Sequence, residues 1–457
     1  AHSAGGEPHS GRHGMSETEL DIASVAQDVL KLAKELGAEE ATAGVSYGAY
    51  SELTRRDGRI EEAKESRSLS ASVELLVDNR YSTHSTSDLR PAALRAFLER
   101  AVAATAYLEQ DPNRRLPERE LLGLAEVDLD LVDPGFVDGD PEPRRRRAEH
   151  VESSVRSILS DQSVRSITAY SWDGRSRSVV AYSNGFSAES ERTSFGMAAS
   201  VSLEEPDGRL PEAWSSCSTV HATDLWSIDT LSEDIRARAL SRLGGRPAAS
   251  GKYPMVLDRR VVSRILGTLV SPLAGGAIYE QRSCMADRLH TAVAAASFSL
   301  FDEPLIARGA GSRRADADGL PAHRRAIVEE GVLQTFFIDV YNSRRLNVDI
   351  TTGSASNLVV PPGRESVADI LSGLDRAILV DGFLGGNANP TTGDFSFGIR
   401  GGLYERGERV SAVSEMNISG NILDLMMRFE QAANDPWLLG AWRCPTMLFD
   451  DVQFAGS

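Results

Sequence analysis

Zinc hydrolases commonly set two histidines one helical turn apart, with a glutamate beside the first to take a proton from the metal-bound water. The eight histidines of this chain are therefore the first residues to test. They are His2, His9, His13, His84, His150, His221, His290 and His323, and none is followed by Glu. His9 and His13 have the i, i+4 spacing, but their surroundings are polar and rich in Gly and Ser. A metal site would have to be assembled from distant segments, with His221, His290 or His323 converging on carboxylates. Nucleophile motifs are also missing: the sequence holds no G-x-S-x-G elbow and no S-x-x-K. Cys217, Cys284 and Cys444 are far apart, odd in number and without a CxxC pair, so neither a disulfide framework nor a zinc ribbon is expected. Cys284 and Cys444 read as small buried hydrophobes. Gly251-Lys252 lacks the rest of a phosphate loop, and Gly309-Ala310-Gly311 lacks the third glycine of a dinucleotide fingerprint.

The elements that would position any site follow from periodicity. Ser16 and Glu19 have capping-box spacing, with Met15 and Leu20 at the staple positions. After them Ile22, Val25, Val29, Leu32, Ala33 and Leu36 recur at helical spacing up to Gly37. Alternation at Leu69, Ala71, Val73 and Leu75 predicts a strand turning at Asp78-Asn79. Helices are expected around Leu94–Thr105, Val151–Leu159 and Leu231–Leu243. Strands are expected at Val164–Trp172, Ser178–Ser183 and Phe195–Ser202, with Asp173-Gly174 and Asn184-Gly185 as turns. The basic run Arg144–Arg147 is expected to pair with the acidic stretch before it, Asp128–Glu142, or to be solvated. Glycine thickens toward the C-terminus: 24 of the 39 lie from Gly244 onward, which fits a β-rich region of tight turns. Helical stretches there are predicted at Val261–Val270 and Ile422–Ala432.

The reading is an α+β chain of two domains. Residues 15–245 form an N-terminal domain of helices and antiparallel sheet, and residues 246–457 a Gly-rich, β-rich C-terminal domain, preceded at 1–14 by a disordered tail or cloning remnant. A length of 457 residues exceeds one ordinary domain. Net charge is -17, with 49 Lys+Arg against 66 Asp+Glu, and only four of the basic residues are lysines. Such a balance argues against general binding to nucleic acid, which needs a basic surface. No apolar run approaches the ~20 residues that cross a bilayer. The first residues lack the apolar core of a signal peptide, and the cysteine usage fits a reducing cytoplasm.

Several segments carry a family likeness. The run Val380-Asp381-Gly382-Phe383-Leu384-Gly385-Gly386-Asn387 continues to Thr392-Gly393-Asp394-Phe395-Ser396-Phe397-Gly398 and then Glu415-Met416-Asn417-Ile418-Ser419-Gly420-Asn421. Gly275-Gly276-Ala277-Ile278-Tyr279, Glu330-Gly331-Val332-Leu333-Gln334, Tyr341-Asn342-Ser343-Arg344 and Gly58-Arg59-Ile60-Glu61 add to it. In order and spacing these resemble the PmbA/TldD family of metallopeptidase subunits over about residues 15–457. In that family the TldD-type subunit carries a His-Glu-x-x-x-His helix and a late Cys that bind zinc. The corresponding helix here, Val261–Thr268, has neither His nor Glu, and the stretch comparable to the late Cys, Asn434–Gly440, has no Cys. The resemblance is therefore to the metal-free PmbA-type partner. It implies a heterodimer with a TldD-like subunit, zinc in that subunit and none in this chain, and small or unfolded peptides cleaved in a shared chamber, as in modified-peptide maturation and antitoxin degradation. It assigns no catalytic or metal residue here. Asn387, Asn389, Asp394 and Ser396 would shape a loop at the chamber, unless they only build turns. Whether the chain homodimerises in isolation stays open. Two other readings are an autonomous peptidase with a site outside any motif, and a gyrase- or nucleic-acid-associated modulator.

Overall fold

A computed structural model describes residues 21–456. The expected tail, the Ser16/Glu19 capping box and the Met15/Leu20 staple lie outside them. Within them the chain divides into two compact units, each built from more than one segment.

The first unit takes residues 21–47, 69–110 and 178–189. Helix α1 (Ile22–Glu35) starts where the Asp21 carboxylate accepts the N–H groups of Ala23 and Ser24, both at 3.1 Å. Its face of Ile22, Ala26, Val29, Leu30 and Ala33 is buried. Gly37, at φ 104°, ends it in a backbone conformation that suits glycine. Strands β1 (Glu40–Arg56), β2 (Arg59–Val77) and β3 (Arg80–Thr86) follow, joined by Asp57-Gly58 and by Asp78-Asn79, all four residues at positive φ. Helix α2 (Pro91–Thr105) then packs Leu94, Leu98 and Ala101 into the same core as Ala43, Val45, Val73 and Leu75.

The second unit takes residues 48–68, 111–177 and 190–456, so β1 and β2 run on into it. Helix α3 (Glu142–Ile158) precedes β4 (Val164–Tyr182), β5 (Ser187–Leu203), β6 (Glu212–Thr219) and α4 (Ile228–Leu240). Val151, Val155, Ile167, Met197, Val201, Leu231 and Ile235 form a core between helices and sheet. Two expectations change here. Asp173-Gly174 is not a turn: β4 is a single strand through it. The Asp173 carboxylate accepts from Arg144 at 2.6 Å, and a Cβ on Gly174 would stand 2.8 Å from the Ala49 carbonyl, so glycine serves a close strand approach. Nor does the arginine run act as one block. Arg145 and Arg146 meet Glu142, as expected, but Arg144 is buried against Asp173, and Arg147 reaches Ser171 and the Trp172 and Gly196 carbonyls.

The remainder of this unit begins with β7 (Gly251–Leu257), α5 (Val262–Val270) and α6 (Gly275–Tyr279). Then come β8 (Leu300–Asp302), β9 (Arg325–Glu329), β10 (Val332–Leu333), α7 (Val340–Leu346), β11 (Leu358–Val359) and α8 (Val367–Ser372). Last are β12 (Ala377–Ala388), β13 (Asp394–Glu405), β14 (Glu408–Asn421), α9 (Ile422–Met426), β15 (Phe429–Ala432), β16 (Trp442–Arg443) and β17 (Met447–Gly456). The large sheet runs β14-β13-β12-β7-β17-β15, and β14 also pairs with β17, Met416 opposite Gly456. Five strands thus close on themselves and leave few open edges. A smaller sheet runs β10-β9-β8-β11-β16. Phe298, Phe397, Phe449 and Phe454 fill the core with the apolar face of α5. The helix expected over Ile422–Ala432 stops at Met426, because Phe429 turns inward to meet Phe449 and Phe298, and β15 pairs with β17. The mixed α+β architecture agrees with the sequence reading.

Candidate functional site

All four expected loop residues sit on one hairpin, β12–β13. The motif Gly385-Gly386 makes a bulge in β12, with both residues at positive φ. A side chain at Gly386 would overlap the Ser396 carbonyl, so the crossing requires glycine. Beyond the bulge Asn387 stands opposite Ser396, and Ser396 stands opposite Ser419 of β14. All three are exposed, and they form a polar ladder on the face opposite Phe395 and Phe397.

Asn389 and Asp394 do different work, closing the hairpin tip. The Asn389 N–H donates to the Asp394 carbonyl at 2.8 Å, and its side-chain oxygen accepts from the Thr391 N–H at 2.9 Å. One Asp394 carboxylate oxygen accepts from the Thr392 hydroxyl at 2.7 Å and the other from the Asn421 amide at 3.1 Å. Those two donors, Thr392 first, hold the carboxyl below its usual range. Asp394 is thus ionised with both oxygens engaged, and among the described residues no histidine bonds to Ser396. Neither is arranged as a general base or an activated nucleophile. Asn389 and Asp394 are turn builders, while Asn387 and Ser396 present hydrogen-bonding groups outward. Asn421 belongs to this tip as well; it stands at the end of the Ser419-Gly420-Asn421 motif, and that position was the available signal.

Helix α5 packs beside the hairpin. Its Arg264 donates to the Gly386 carbonyl at 2.7 Å and lies 4.7 Å from the centre of the Phe397 ring. The helix therefore meets the hairpin through a cation and has no metal ligand to offer. Pro390 of the tip accepts from the Cys284 N–H at 2.9 Å, and burial pushes the half-buried Cys284 thiol up.

The histidines are dispersed. His221 is 4% exposed and its Nε2 meets the Asp130 carbonyl at 3.0 Å. His84 on β3 meets the Ser82 hydroxyl at 2.9 Å. His323 is exposed and meets its neighbour Pro321, and His290 occupies a left-handed turn at φ 60°. His2, His9 and His13 lie outside the described residues. Among the described residues no three His, Cys, Asp or Glu side chains come together as a group able to hold a metal ion. Cys444 is fully buried, its thiol facing the Leu358 carbonyl at 3.7 Å. The described side chains do not fit a catalytic zinc.

Three family models match the chain in order: PmbA/TldA metallopeptidase domain 1 over residues 41–105, the central domain over 138–243 and the C-terminal domain over 250–456. Metalloprotease PmbA of Escherichia coli O157:H7 is 25% identical over 450 residues, covering 96% of this chain and 95% of that protein. Among solved structures, a Bacteroides thetaiotaomicron protein assigned as a modulator of DNA gyrase has a TM-score of 0.92 at 31% identity, covering 95% of this chain and 99% of that one. TldE of Thermococcus kodakarensis shares the fold, with a TM-score of 0.83 at 18% identity over 94% of this chain and 100% of that one. On the successive family models and the near full-length likeness to the Bacteroides protein, the chain belongs to the PmbA/TldD metallopeptidase family.

Proposed function

We propose that this chain is the non-catalytic partner of a TldD-type zinc peptidase, completing a chamber in which that subunit cleaves small or unfolded peptides. One observation carries the reading. The helix α5, which the sequence resemblance aligns with the family's metal helix, has no His or Glu and engages the β12–β13 hairpin through Arg264. The zinc of such a complex would belong to the other subunit. The ladder of Asn387, Ser396 and Ser419 would face the chamber, offering amide and hydroxyl groups to peptide backbone, and Asn389 and Asp394 would hold its shape. Confinement would give selectivity by access, since a folded protein cannot enter.

The test is metal content and peptidase activity of the purified chain, alone and mixed with a TldD-like subunit. The reading expects no stoichiometric zinc and no cleavage alone, and cleavage of an unstructured peptide by the mixture beyond what the TldD-like subunit achieves by itself. One zinc per chain together with autonomous cleavage refutes it.

A further inference from the structure

A second feature lies apart from the hairpin tip. It is an open cavity of about 620 Å³, within the roughly 300–1,000 Å³ range of small-ligand sites. Its charged lining is Arg192, Arg259, Arg308, Arg443 and Asp224. Four cations thus face one carboxylate, in a chain whose net charge is -17. Asp224 is taken: both its oxygens accept from Arg308, at 3.0 and 3.1 Å, and Arg308 also meets Asp130. Arg259 stands 3.8 Å from Asp435. Among the described residues the other two have no acid partner. Arg192 donates to the carbonyls of Gly309, Ala310 and Ser312, which fix its position without neutralising it. Arg443, on β16, has no ion pair among the described residues, and its Nε is buried without a hydrogen-bond partner.

The lining also has an apolar part, and Arg259 lies 5.4 Å from the centre of the Trp437 ring within it. Trp226 and Trp437 meet edge to face, with ring centres 5.7 Å apart. The Trp437 N–H donates to the Cys444 carbonyl at 3.0 Å, and Asp435 holds Thr446 through its backbone N–H and hydroxyl at 2.9 and 2.8 Å. The loop bearing Trp437 is therefore tied to the strand segment that carries Arg443. Leu438, 58% exposed, forms the rim.

We infer that this cavity is a receptor for a carboxylate carried on an apolar or aromatic group, and that its occupant is the C-terminal residue of a peptide. Guanidinium groups match a carboxylate bidentately, and the indoles take the side chain beside it. A polyanion such as nucleic acid is disfavoured by the acidic chain around the cavity. The peptide assignment rests on the proposed function, but its test needs no partner subunit.

The test is titration of the full chain with acetyl-Gly-Phe as the free acid and as its C-terminal amide, followed by tryptophan fluorescence and calorimetry. The acid is expected to bind at least about tenfold more tightly than the amide, as loss of one charge-assisted pair implies. Arg443→Gln is expected to erase that difference, and added salt to shrink it. Trp437→Ala, on the loop, is expected to keep the preference for acid over amide while losing the preference for Phe over Gly as last residue; it is the second variant should Arg443→Gln fail to fold. Equal binding of acid and amide, no binding up to millimolar peptide, or an unchanged acid preference in folded Arg443→Gln overturns the inference. So does inorganic phosphate or a nucleotide binding more tightly than the peptide acid. Each of these results leaves the outcome of mixing with a TldD-like subunit untouched, so the two proposals fail separately.

Discussion

Arg144 and Asp173 form a buried ion pair in the second unit, and breaking it should cost far more than deleting it. Their side chains are only 4% and 10% exposed, and the N–O distance is 2.6 Å. At an effective dielectric near 20 the attraction between such charges is about 4 kcal/mol or somewhat more. Removing each ion from water costs several kcal/mol, so the pair as a whole nears zero. The balance shows in Asp173 itself, whose carboxyl is pushed above its usual value by burial even with Arg144 beside it. Arg144→Met leaves a buried carboxylate, and Asp173→Leu leaves a buried guanidinium; each is expected to destabilise by about 3–5 kcal/mol. The double variant should lose less than either single one, giving a coupling energy of at least about 2 kcal/mol. Urea unfolding read for both midpoint and slope measures all four corners of the cycle. There is also a pH signature. In Arg144→Met the Asp173 carboxyl rises further, so the folded state favours its proton more than the unfolded state does. The penalty is then full above the folded value and fades as pH falls toward the ordinary 3.8. A loss in Asp173→Leu of under about 0.5 kcal/mol, or a double variant as costly as the two singles added, refutes the reasoning.

Asn421→Ala removes one of the two donors that hold Asp394 ionised, so the Asp394 titration midpoint, followed by NMR, should rise toward 3.8; an unmoved midpoint means Asn421 does not support the tip. In the wild type the Asp394 contribution to the hairpin is present above 3.8 and is lost as pH falls through the lower folded value. Gly401→Ala would drive a methyl group into the Leu379 carbonyl across the β12–β13 pair, and a loss of about 3 kcal/mol or more is expected in thermal unfolding, while Gly276→Ala, with open space around it, serves as the mild control. Burial pushes the Cys444 thiol up to about 12, so at pH 8 a disulfide reagent should label the half-exposed Cys284 and reach Cys444 only after unfolding; Cys444 labelling in the native protein contradicts this burial.

What the sequence discloses depends on how far apart the deciding atoms are. Helix α1 was legible because Ile22, Val29 and Ala33 carry the period themselves, and the Asp78-Asn79 turn because both residues tolerate the left-handed backbone the hairpin needs. The β12–β14 motifs were legible as a likeness, and the structure gives them a physical content in the bulge at Gly386 and the tip closed by Asn389, Asp394 and Asn421. Asp173-Gly174 misled because a turn signal is local, whereas the strand there is decided by Arg144, 29 residues earlier, and by the Ala49 carbonyl. Arg144 and Arg147 both stand in helical phase with Val151 and Val155, so of four consecutive arginines these two turn inward. An arginine in that phase needs buried acceptors, and Arg144 finds its acceptor in an aspartate, which leaves the pool available for turns. The cavity offers no such rule. Arg192, Trp226, Arg308 and Arg443 come from segments with no shared period, and each alone reads as an ordinary surface or core residue. Their meaning rests on a charge balance that exists only after folding, when the one acid in the lining has already been claimed by Arg308. A site assembled in this way is legible only in the charges its lining leaves uncompensated, and Arg443 is the residue through which the proposed one becomes testable.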